Sequence, residues 1–232
     1  AILLAAGSGQ RMQGQVEDKI LAPINGQPAL AYSLKAFDRS CVINSYLIVY
    51  RDELQKKAIE AIIAAHDFDH LEIQFILGGA ERQLSVMNAL NAINENCDYV
   101  FIHDCARPCI PTEAIKDVYS AVQEDQAASL AHPVVDTIKR AEAADELRKL
   151  SLEDLDRSRV WAMETPQAFA FKNILKAYQN VIKKKLAITD DTAALATIGL
   201  KTTLVPNKHP NPKLTTPIDL AYIEHLLKTP NL

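Results

Sequence analysis

The chain has 232 residues, of which 48% are hydrophobic, and a formal net charge of −4. The acidic balance argues against a protein that coats nucleic acid, because such proteins need a basic face. No apolar run approaches the ~20 residues of a membrane-spanning helix, and four cysteines are too sparse for a disulfide scaffold. We therefore expect a cytoplasmic protein that binds neither nucleic acid nor membrane.

Short apolar runs alternate along the chain with longer helical patterns. The predicted strands are 1–5, 45–50, 72–77, 98–102, 129–135 and 201–205. The predicted helices are 29–37, 53–65, 81–93, 112–123, 172–184, 190–198 and 217–227. Apolar strands separated by helices predict an α/β fold, with a mostly parallel sheet covered on both faces. We predict a single domain over residues 1–232.

Residues 136–159 break this alternation, because they are highly charged and lack a clear apolar stripe. The charge pattern favours two interpretations equally. One is a solvated surface insertion. The other is an arm that reaches toward a partner subunit.

The first predicted strand ends in the small residues of segment 5–9, followed by Arg11 and Lys19. In an open parallel sheet, ligands bind at the carboxyl ends of the strands. Small residues there let backbone amides approach an anion, and the two cations suit a triphosphate. A dinucleotide fingerprint would need a third glycine where Met12 stands, and no P-loop pattern occurs. A dehydrogenase and a P-loop ATPase are therefore disfavoured.

Two more strand ends carry candidate site residues. Gly78 and Gly79 suit a turn that passes close to a ligand, and Ser85 follows one helical turn later. Asp104 follows the fourth strand, where a carboxylate can hold Mg²⁺ or a sugar hydroxyl. Arg107 then either meets a phosphate or forms a structural salt bridge with Asp104.

Two later segments are less informative. The sequence at Thr189 and Asp190 is typical of a helix N-cap. Lys213 lies just before another capped helix, and its setting alone does not decide between a site lysine and a surface lysine.

Taken in order, these motifs resemble the 2-C-methyl-D-erythritol 4-phosphate cytidylyltransferase family over essentially the whole chain. The resemblance rests on Ala5-Ala6-Gly7-Ser8-Gly9, Arg11-Met12, Lys19, Gly78-Gly79, Glu81-Arg82, Ser85-Val86, His103-Asp104, Ala106-Arg107-Pro108, Pro133-Val134, Asp136-Thr137, Lys139, Thr165-Pro166-Gln167, Thr189-Asp190, Asn211, Lys213, Thr215, Pro217 and Asp219-Leu220. Departures from the family pattern fall at Asp18, Ala80, Cys105 and Pro212. At Asp18, before Lys19, the family usually has a proline.

The resemblance implies a Rossmann-like nucleotidyltransferase fold and a homodimer that exchanges arms. The implied catalytic residues, around the α-phosphate, are Arg11, Lys19 and Lys213. The implied nucleotide-binding residues are Ala5, Ala6, Gly7, Gly9, Gly78, Gly79, Ser85 and Asp104. The implied residues of the polyol-phosphate site are Asp104, Arg107, Thr137, Arg157, Thr165 and Thr189. The arm is expected to carry Arg157 into the neighbouring subunit's site.

The implied reaction is transfer of a cytidylyl group from CTP to 2-C-methyl-D-erythritol 4-phosphate in the non-mevalonate isoprenoid pathway. Mg²⁺ or another divalent cation is expected with the triphosphate, and Asp104 is the one side chain considered as its ligand. One alternative is a cytidylyltransferase that acts on ribitol 5-phosphate. Another is a non-catalytic nucleotide-binding protein. A glycosyltransferase is disfavoured, because Asp67-Phe68-Asp69 falls in a helix-to-strand loop.

Overall fold

The computed structural model describes residues 1–7, 18–143, 146 and 148–229. The predicted site residues Gly9 and Arg11 lie outside the described residues. In chain order the elements are β1 (Ile2–Leu4), β2 (Pro23–Ile24), β3 (Gln27–Pro28), α1 (Ala29–Ser40), β4 (Tyr46–Tyr50), α2 (Glu53–Ala65), β5 (Ile73–Leu77), α3 (Arg82–Ala92), β6 (Tyr99–Asp104), α4 (Thr112–Asp125), β7 (Ala127–Pro133), β8 (Lys139–Ala141), β9 (Leu152–Asp154), β10 (Trp161–Ala170), α5 (Phe171–Lys184), α6 (Asp191–Ala196), β11 (Thr203–Pro206) and α7 (Pro217–Lys228). Within these residues, every helix is too short or too polar to cross a membrane.

Seven strands form one sheet in the order β11-β7-β10-β6-β1-β4-β5. Strand β1 runs parallel to both of its neighbours, with Leu3 opposite Ile48 on β4 and opposite His103 on β6. Strands β5 and β11 continue the parallel arrangement at the two edges. Strand β10 runs antiparallel to β6 and β7. The prediction of a mostly parallel sheet is confirmed.

Helices cover both faces of this sheet. Successive residues of β1 point to opposite faces, and Ile2 and Leu3 are both fully buried, in different core clusters. The cluster around Leu3 includes side chains from α1, α2, α4 and α7. The cluster around Ile2 includes side chains from α3, α5 and α6. Burial on both faces explains why the strands are apolar nearly throughout.

Capping side chains fix the starts of three helices. Asp52 caps α2 and Asp190 caps α6, each by accepting a backbone N–H from the first turn. Thr216 and Asp219 form a capping box at the start of α7. Such caps stabilise a helix by about 1 kcal/mol each. The predicted cap at Asp190 is confirmed.

The predicted strands do not include β10, whose ten residues make it the longest strand described. Its centre carries the buried polar side chains of Glu164, Thr165 and Gln167, which interrupt the apolar run. Its pairing with β7 shifts register between Met163 and Gln167, and the Thr165–Pro166 bond is cis. The prediction of strands from apolar runs misses β10 because its buried polar side chains form hydrogen bonds inside the protein.

The charged segment 136–159 contains a separate two-stranded hairpin, formed by β8 and β9. Both strands are exposed along their whole length. Ion pairs join Lys139 to Asp154 and Arg140 to Glu153, the latter at 2.9 Å. The hairpin lies outside the seven-stranded sheet, and we call residues 136–159 the arm.

Candidate active site

The carboxyl ends of β1, β4 and β6 lie side by side, because these strands are parallel neighbours. A cavity of about 460 Å³ opens at this edge. Such an edge is where open α/β sheets bind ligands, and the volume suits a small molecule. The predicted site residues that line the cavity are Ala5, Ala6, Gly7, Lys19, Gly79, Ser85, Asp104 and Lys213.

The cavity is positively charged in its described part. Its basic lining side chains are Lys19, Arg51, Arg82 and Lys213, and its acidic ones are Glu81 and Asp104. Arginine and lysine are the usual partners of phosphate oxygens. The excess of basic groups suits an anionic ligand such as a nucleotide.

The floor of the cavity is formed by the backbone that follows β1. A side-chain Cβ at Gly7 would lie 3.7 Å from Cε and 3.9 Å from Nζ of Lys19, so this lysine passes close to the glycine. The N–H of Ala5 donates to the carbonyl of Val49 at 2.9 Å. Its carbonyl accepts from Nε2 of Gln55 at 3.0 Å. The fold thus holds the floor from both sides.

A glycine turn forms the next wall. A Cβ at Gly78 would lie 2.8 Å from Cβ of Ala6, and one at Gly79 would lie 2.4 Å from Cβ of Leu84. Both positions therefore exclude a side chain. The Gly79 N–H donates to Oγ of Ser85 at 3.0 Å. The Ser85 hydroxyl holds this turn in place, and its contact with the nucleotide stays a prediction.

Asp104 lies between two cations. Its Oδ2 accepts from Nζ of Lys213 at 2.5 Å, and its Oδ1 accepts from Nε of Arg82 at 3.4 Å. Burial opposes ionisation, but the charges of Arg82 and Lys213 outweigh it and hold the pKa of Asp104 well below its usual range. Asp104 is therefore a carboxylate at neutral pH.

Arg82 connects the cavity to the start of α6. It donates to both carboxylate oxygens of Asp191, at 2.8 and 2.7 Å. Asp191 has no exposed side-chain surface, and the hydroxyl of Tyr178 also donates to it. Burial acts to lower the pKa of Arg82, but the charges of Asp191 and Asp104 have the larger effect. The pKa of Arg82 therefore lies above its ordinary value, and the guanidinium stays charged.

Thr165 lies behind Asp104. Its hydroxyl oxygen accepts the N–H of Asp104 at 3.1 Å and lies 3.0 Å from Nδ1 of His103. His103 is fully buried, and burial lowers its pKa to about 3, so its ring is neutral. The pair therefore fixes the backbone of Asp104, while a contact of Thr165 with substrate stays a prediction.

Arg107 does not pair with Asp104, so the structural salt bridge considered between them is wrong. Its terminal nitrogens donate to the carbonyls of Asn211 at 2.7 Å and Met163 at 3.4 Å. Its Nε is buried without a hydrogen-bond partner among the described residues. Burial lowers the pKa of Arg107. A buried donor of this kind suits an anionic or hydroxyl-bearing ligand.

Of the predicted substrate residues, Asp104 belongs to the described cavity lining, whereas Arg107, Thr165 and three others do not. Thr137 and Arg157 are exposed residues of the arm, and Arg157 donates to the carbonyl of Val135 at 2.7 Å. Thr189 is exposed just before the cap of α6. One subunit therefore does not bring its own Thr137 and Arg157 to its own cavity.

Sequence reasoning assigned no role to several residues that shape this cavity. Arg82 belongs to the Glu81-Arg82 motif, on which the family resemblance partly rests, so the sequence did mark this residue. Arg51, Gln55 and Asp191 gave no such signal, because their importance comes from contacts with distant parts of the chain. Gln55, for example, bonds to a carbonyl 50 residues away.

A larger cavity, of about 690 Å³, lies at the opposite ends of the strands. Its lining includes Tyr46, Glu72, Cys97 and Asp98, and its described lining has no lysine or arginine side chain. It therefore lacks the cations that a polyphosphate requires. The smaller cavity is the better candidate for the active site.

The fold and the cavity together define an α/β nucleotide-binding protein of the nucleotidyltransferase type. Comparison with known families specifies this further: residues 1–229 match the model of IspD, 2-C-methyl-D-erythritol 4-phosphate cytidylyltransferase. The chain belongs to this family.

Individual relatives agree with this assignment. The chain is 35% identical over 228 residues to the 2-C-methyl-D-erythritol 4-phosphate cytidylyltransferase of Caldanaerobacter subterraneus, covering 98% of each chain. It is 37% identical to that of a Synechococcus species, covering 98% of this chain and 95% of the relative. Among solved structures, 4-diphosphocytidyl-2C-methyl-D-erythritol synthase from Anaerococcus prevotii superposes with a TM-score of 0.83 at 25% identity, covering 98% and 94% of the two chains.

Proposed function

We propose that this chain transfers the cytidylyl group of CTP to 2-C-methyl-D-erythritol 4-phosphate, which releases pyrophosphate and supplies isoprenoid biosynthesis. The observation that carries the proposal is the meeting of Lys19, Lys213 and Asp104 at one nucleotide-sized cavity. Membership of the family, over nearly the whole chain, supports the choice of both substrates.

The chemistry is an in-line attack. A phosphate oxygen of the acceptor forms a bond to the α-phosphorus of CTP, and the bond from that phosphorus to the bridging oxygen breaks, so pyrophosphate leaves. A phosphate monoester has a second pKa of about 6, so the nucleophile is already ionised near neutral pH and needs no strong base. Lys19, Lys213 and, by the resemblance, Arg11 stabilise the charge that develops at the α-phosphorus.

Mg²⁺ or another divalent cation would be bound together with the triphosphate. Within the described residues no cluster of three or more metal-binding side chains occurs, and Asp104 has a cation at each oxygen. Mg²⁺ is commonly held by one or two carboxylates together with substrate phosphates. This donor set fits an ion that would be held mainly by the phosphates of CTP, with Asp104 as a carboxylate that could contribute, and the ion would neutralise charge on the leaving phosphates.

The acceptor site is proposed to need two subunits. Arg107, Thr165 and Thr189 would contribute from one subunit, and Thr137 and Arg157 from the arm of the other. Two observations support exchange of arms in a homodimer: the arm is exposed throughout its strands, and it presents apolar Leu152 at 58% exposure. Packing of the arm against a second subunit would remove this apolar surface from water.

The remaining assignments concern organisation and location. We propose that residues 1–232 form one catalytic domain with the arm as an insertion. We also propose a cytoplasmic location, which is supported by the four cysteines, all of which are free thiols.

A substrate panel tests the proposed reaction. Pyrophosphate release is measured with CTP, ATP, GTP or UTP, each paired with methylerythritol 4-phosphate or ribitol 5-phosphate. We expect release only with CTP and methylerythritol 4-phosphate. Release with ribitol 5-phosphate instead would reassign the acceptor, and CTP binding without release from any pair would favour a non-catalytic nucleotide-binding protein.

The variant Lys19→Ala tests the assigned chemistry. Loss of one such electrostatic contact typically lowers kcat about 10²-fold. The matched control is Lys172→Ala, which removes an exposed lysine from α5. An unchanged kcat for Lys19→Ala would remove Lys19 from the catalytic machinery.

A further inference from the structure

One buried glutamine joins three segments of the chain at the edge of the cavity. Gln55 lies in the first turn of α2 and is 2% exposed. Its Nε2 donates to the carbonyl of Ala5 at 3.0 Å and to Oδ2 of Asp18 at 2.6 Å. Its Oε1 accepts the backbone N–H of Arg51 at 2.6 Å. The amide orientation is therefore fixed, because its nitrogen faces two acceptors and its oxygen faces a donor.

Asp18 is the centre of this arrangement. It is 7% exposed, and its Oδ1 accepts the N–H of Ile20 at 3.1 Å. Its Oδ2 is shared by Gln55 and by a terminal nitrogen of Arg51, the latter at 3.2 Å. Its carbonyl accepts the N–H of Leu21 at 3.2 Å. The carboxylate and the carbonyl together hold a tight turn.

Lys19 projects from this turn into the cavity lining. A lysine side chain is a point charge on a flexible stem, so its position depends strongly on where the backbone holds the first carbon. Ala5 begins the segment that forms the cavity floor. Gln55 therefore bonds at once to the residue before Lys19 and to the floor toward which Lys19 extends.

This arrangement exceeds what helix capping requires. Asp52 already caps α2 by accepting the backbone N–H of Gln55 at 2.9 Å. The two donor bonds of the Gln55 side chain go to other segments, and both recipients lie at the cavity edge. A glutamine that served only the helix would not need either of them.

We propose that Gln55 is a positioning residue that acts through Asp18 to set the distance between the Lys19 ammonium and the cavity floor. This inference rests on the proposed function, since that function gives Lys19 the task of stabilising charge on the triphosphate. Catalytic groups must be held within about 0.5 Å of their working position. A displacement of about 1 Å can lower the rate 10²-fold.

The nearly isosteric variant Gln55→Glu provides the test. It replaces the donor nitrogen with an oxygen that faces the Ala5 carbonyl and the Asp18 carboxylate. The ionised form repels both acceptors, and the protonated form has one hydrogen and can donate to only one of them, so the two-bond arrangement is lost in either form. We expect kcat/KM for CTP to fall at least ~10-fold. The control Gln179→Glu makes the same charge change at an exposed position on α5 and should leave kcat/KM within twofold, as expected for a surface change.

A double-mutant cycle with Lys19→Ala separates positioning from a general structural role. If Gln55 acts through Lys19, adding Gln55→Glu to Lys19→Ala lowers kcat/KM by less than about twofold further. A double variant whose kcat/KM falls by the product of the two single losses would overturn the proposal. The kcat/KM values of all variants are measured at a temperature below the midpoint of thermal unfolding of each variant. If Gln55→Glu does not fold, the same cycle is run with Asp18→Ala, with the same expectation.

The cycle is repeated for binding of CTP alone by calorimetry, without an acceptor. Non-additive losses in binding would support the positioning role even if the wild-type chain released no pyrophosphate, an outcome that sinks only the proposed reaction. Additive losses in both measurements, with wild-type turnover intact, would sink only the positioning role. A wild-type chain that does not bind CTP would overturn both.

Discussion

The ammonium of Lys213 lies 2.5 Å from Oδ2 of Asp104, although 109 residues separate the two along the chain. The second carboxylate oxygen of Asp104 faces Arg82. Because Asp104 stays ionised, it restrains Lys213 at the cavity, where a surface lysine would sample many rotamers. This restraint is the kind of preorganisation that lets a fixed charge stabilise a transition state.

Replacing Lys213 should therefore lower kcat strongly and affect the stability of the fold much less. Lys213→Met keeps the length of the side chain and removes its charge. We expect kcat to fall about 10²-fold, with the protein still folded, because the lysine side chain is 34% exposed. Pyrophosphate release and thermal unfolding check the two parts, with Lys172→Met as the control. Wild-type kcat in Lys213→Met would show that the lysine does not act on the reacting phosphate.

Arg82→Lys should destabilise the protein while it keeps the positive charge. Lysine cannot make the two parallel bonds to Asp191, so a fully buried carboxylate loses a hydrogen-bond donor. We expect the free energy of unfolding to fall by about 2 kcal/mol, measured by urea denaturation. Arg39→Lys, at an exposed position on α1, is the control. Equal stability of the two variants would contradict this account of the pair.

The alternation of buried strands and helices could be predicted from the sequence, because strands covered on both faces must be apolar. Strand β10 could not, since Glu164 and Gln167 break its pattern and their partners lie in other segments. Gln167, for instance, donates to the side chain of Asp190 at 2.9 Å and accepts the N–H of Asp191 at 3.1 Å. Hydrogen bonds between segments that are distant along the chain leave no local pattern in the sequence.

Stability should depend on pH through His103. Burial lowers the pKa of His103 in the folded protein to about 3, from its ordinary value of 6.5. The unfolded chain therefore binds more protons between these values, and stability is lost as pH falls through this window. Between pH 7 and pH 5 the loss is about 2 kcal/mol. His103→Gln removes this contribution, whereas the other histidines are common to both proteins. Urea denaturation that gave the same pH dependence for both proteins would contradict the account.

Exchange of arms predicts rescue between two inactive proteins. In a mixed dimer of Arg157→Ala and Lys19→Ala, one site combines an intact cavity with an intact arm. Random mixing should restore about one quarter of wild-type activity. Mixing Arg157→Ala with Thr137→Ala is the control, because every site then receives a defective arm. Mixtures of the first pair that gained nothing over the separate proteins would argue that each arm serves its own subunit or no site at all.

Site residues that lie at the carboxyl ends of strands could be predicted from the sequence. Asp104 and the glycine turn stand at such ends, Lys19 comes between the first two strands, and the structure brings all three to one cavity. The roles of Gln55 and Asp191 could not be predicted, because each is a buried partner of a cavity residue and neither carries a local pattern of its own. The arm residues Thr137 and Arg157 illustrate a different limit, since a single subunit leaves them exposed.

The most direct test of the reaction follows the oxygen atoms of the acceptor. Methylerythritol 4-phosphate labelled with ¹⁸O in its phosphate is incubated with unlabelled CTP, and the products are analysed by ³¹P NMR and mass spectrometry. Attack by the acceptor phosphate on the α-phosphorus predicts one diphosphocytidyl product per pyrophosphate, with all of the label retained and one labelled oxygen bridging the two phosphorus atoms. An unlabelled bridge, or CMP in place of the joined product, would contradict cytidylyl transfer at this site.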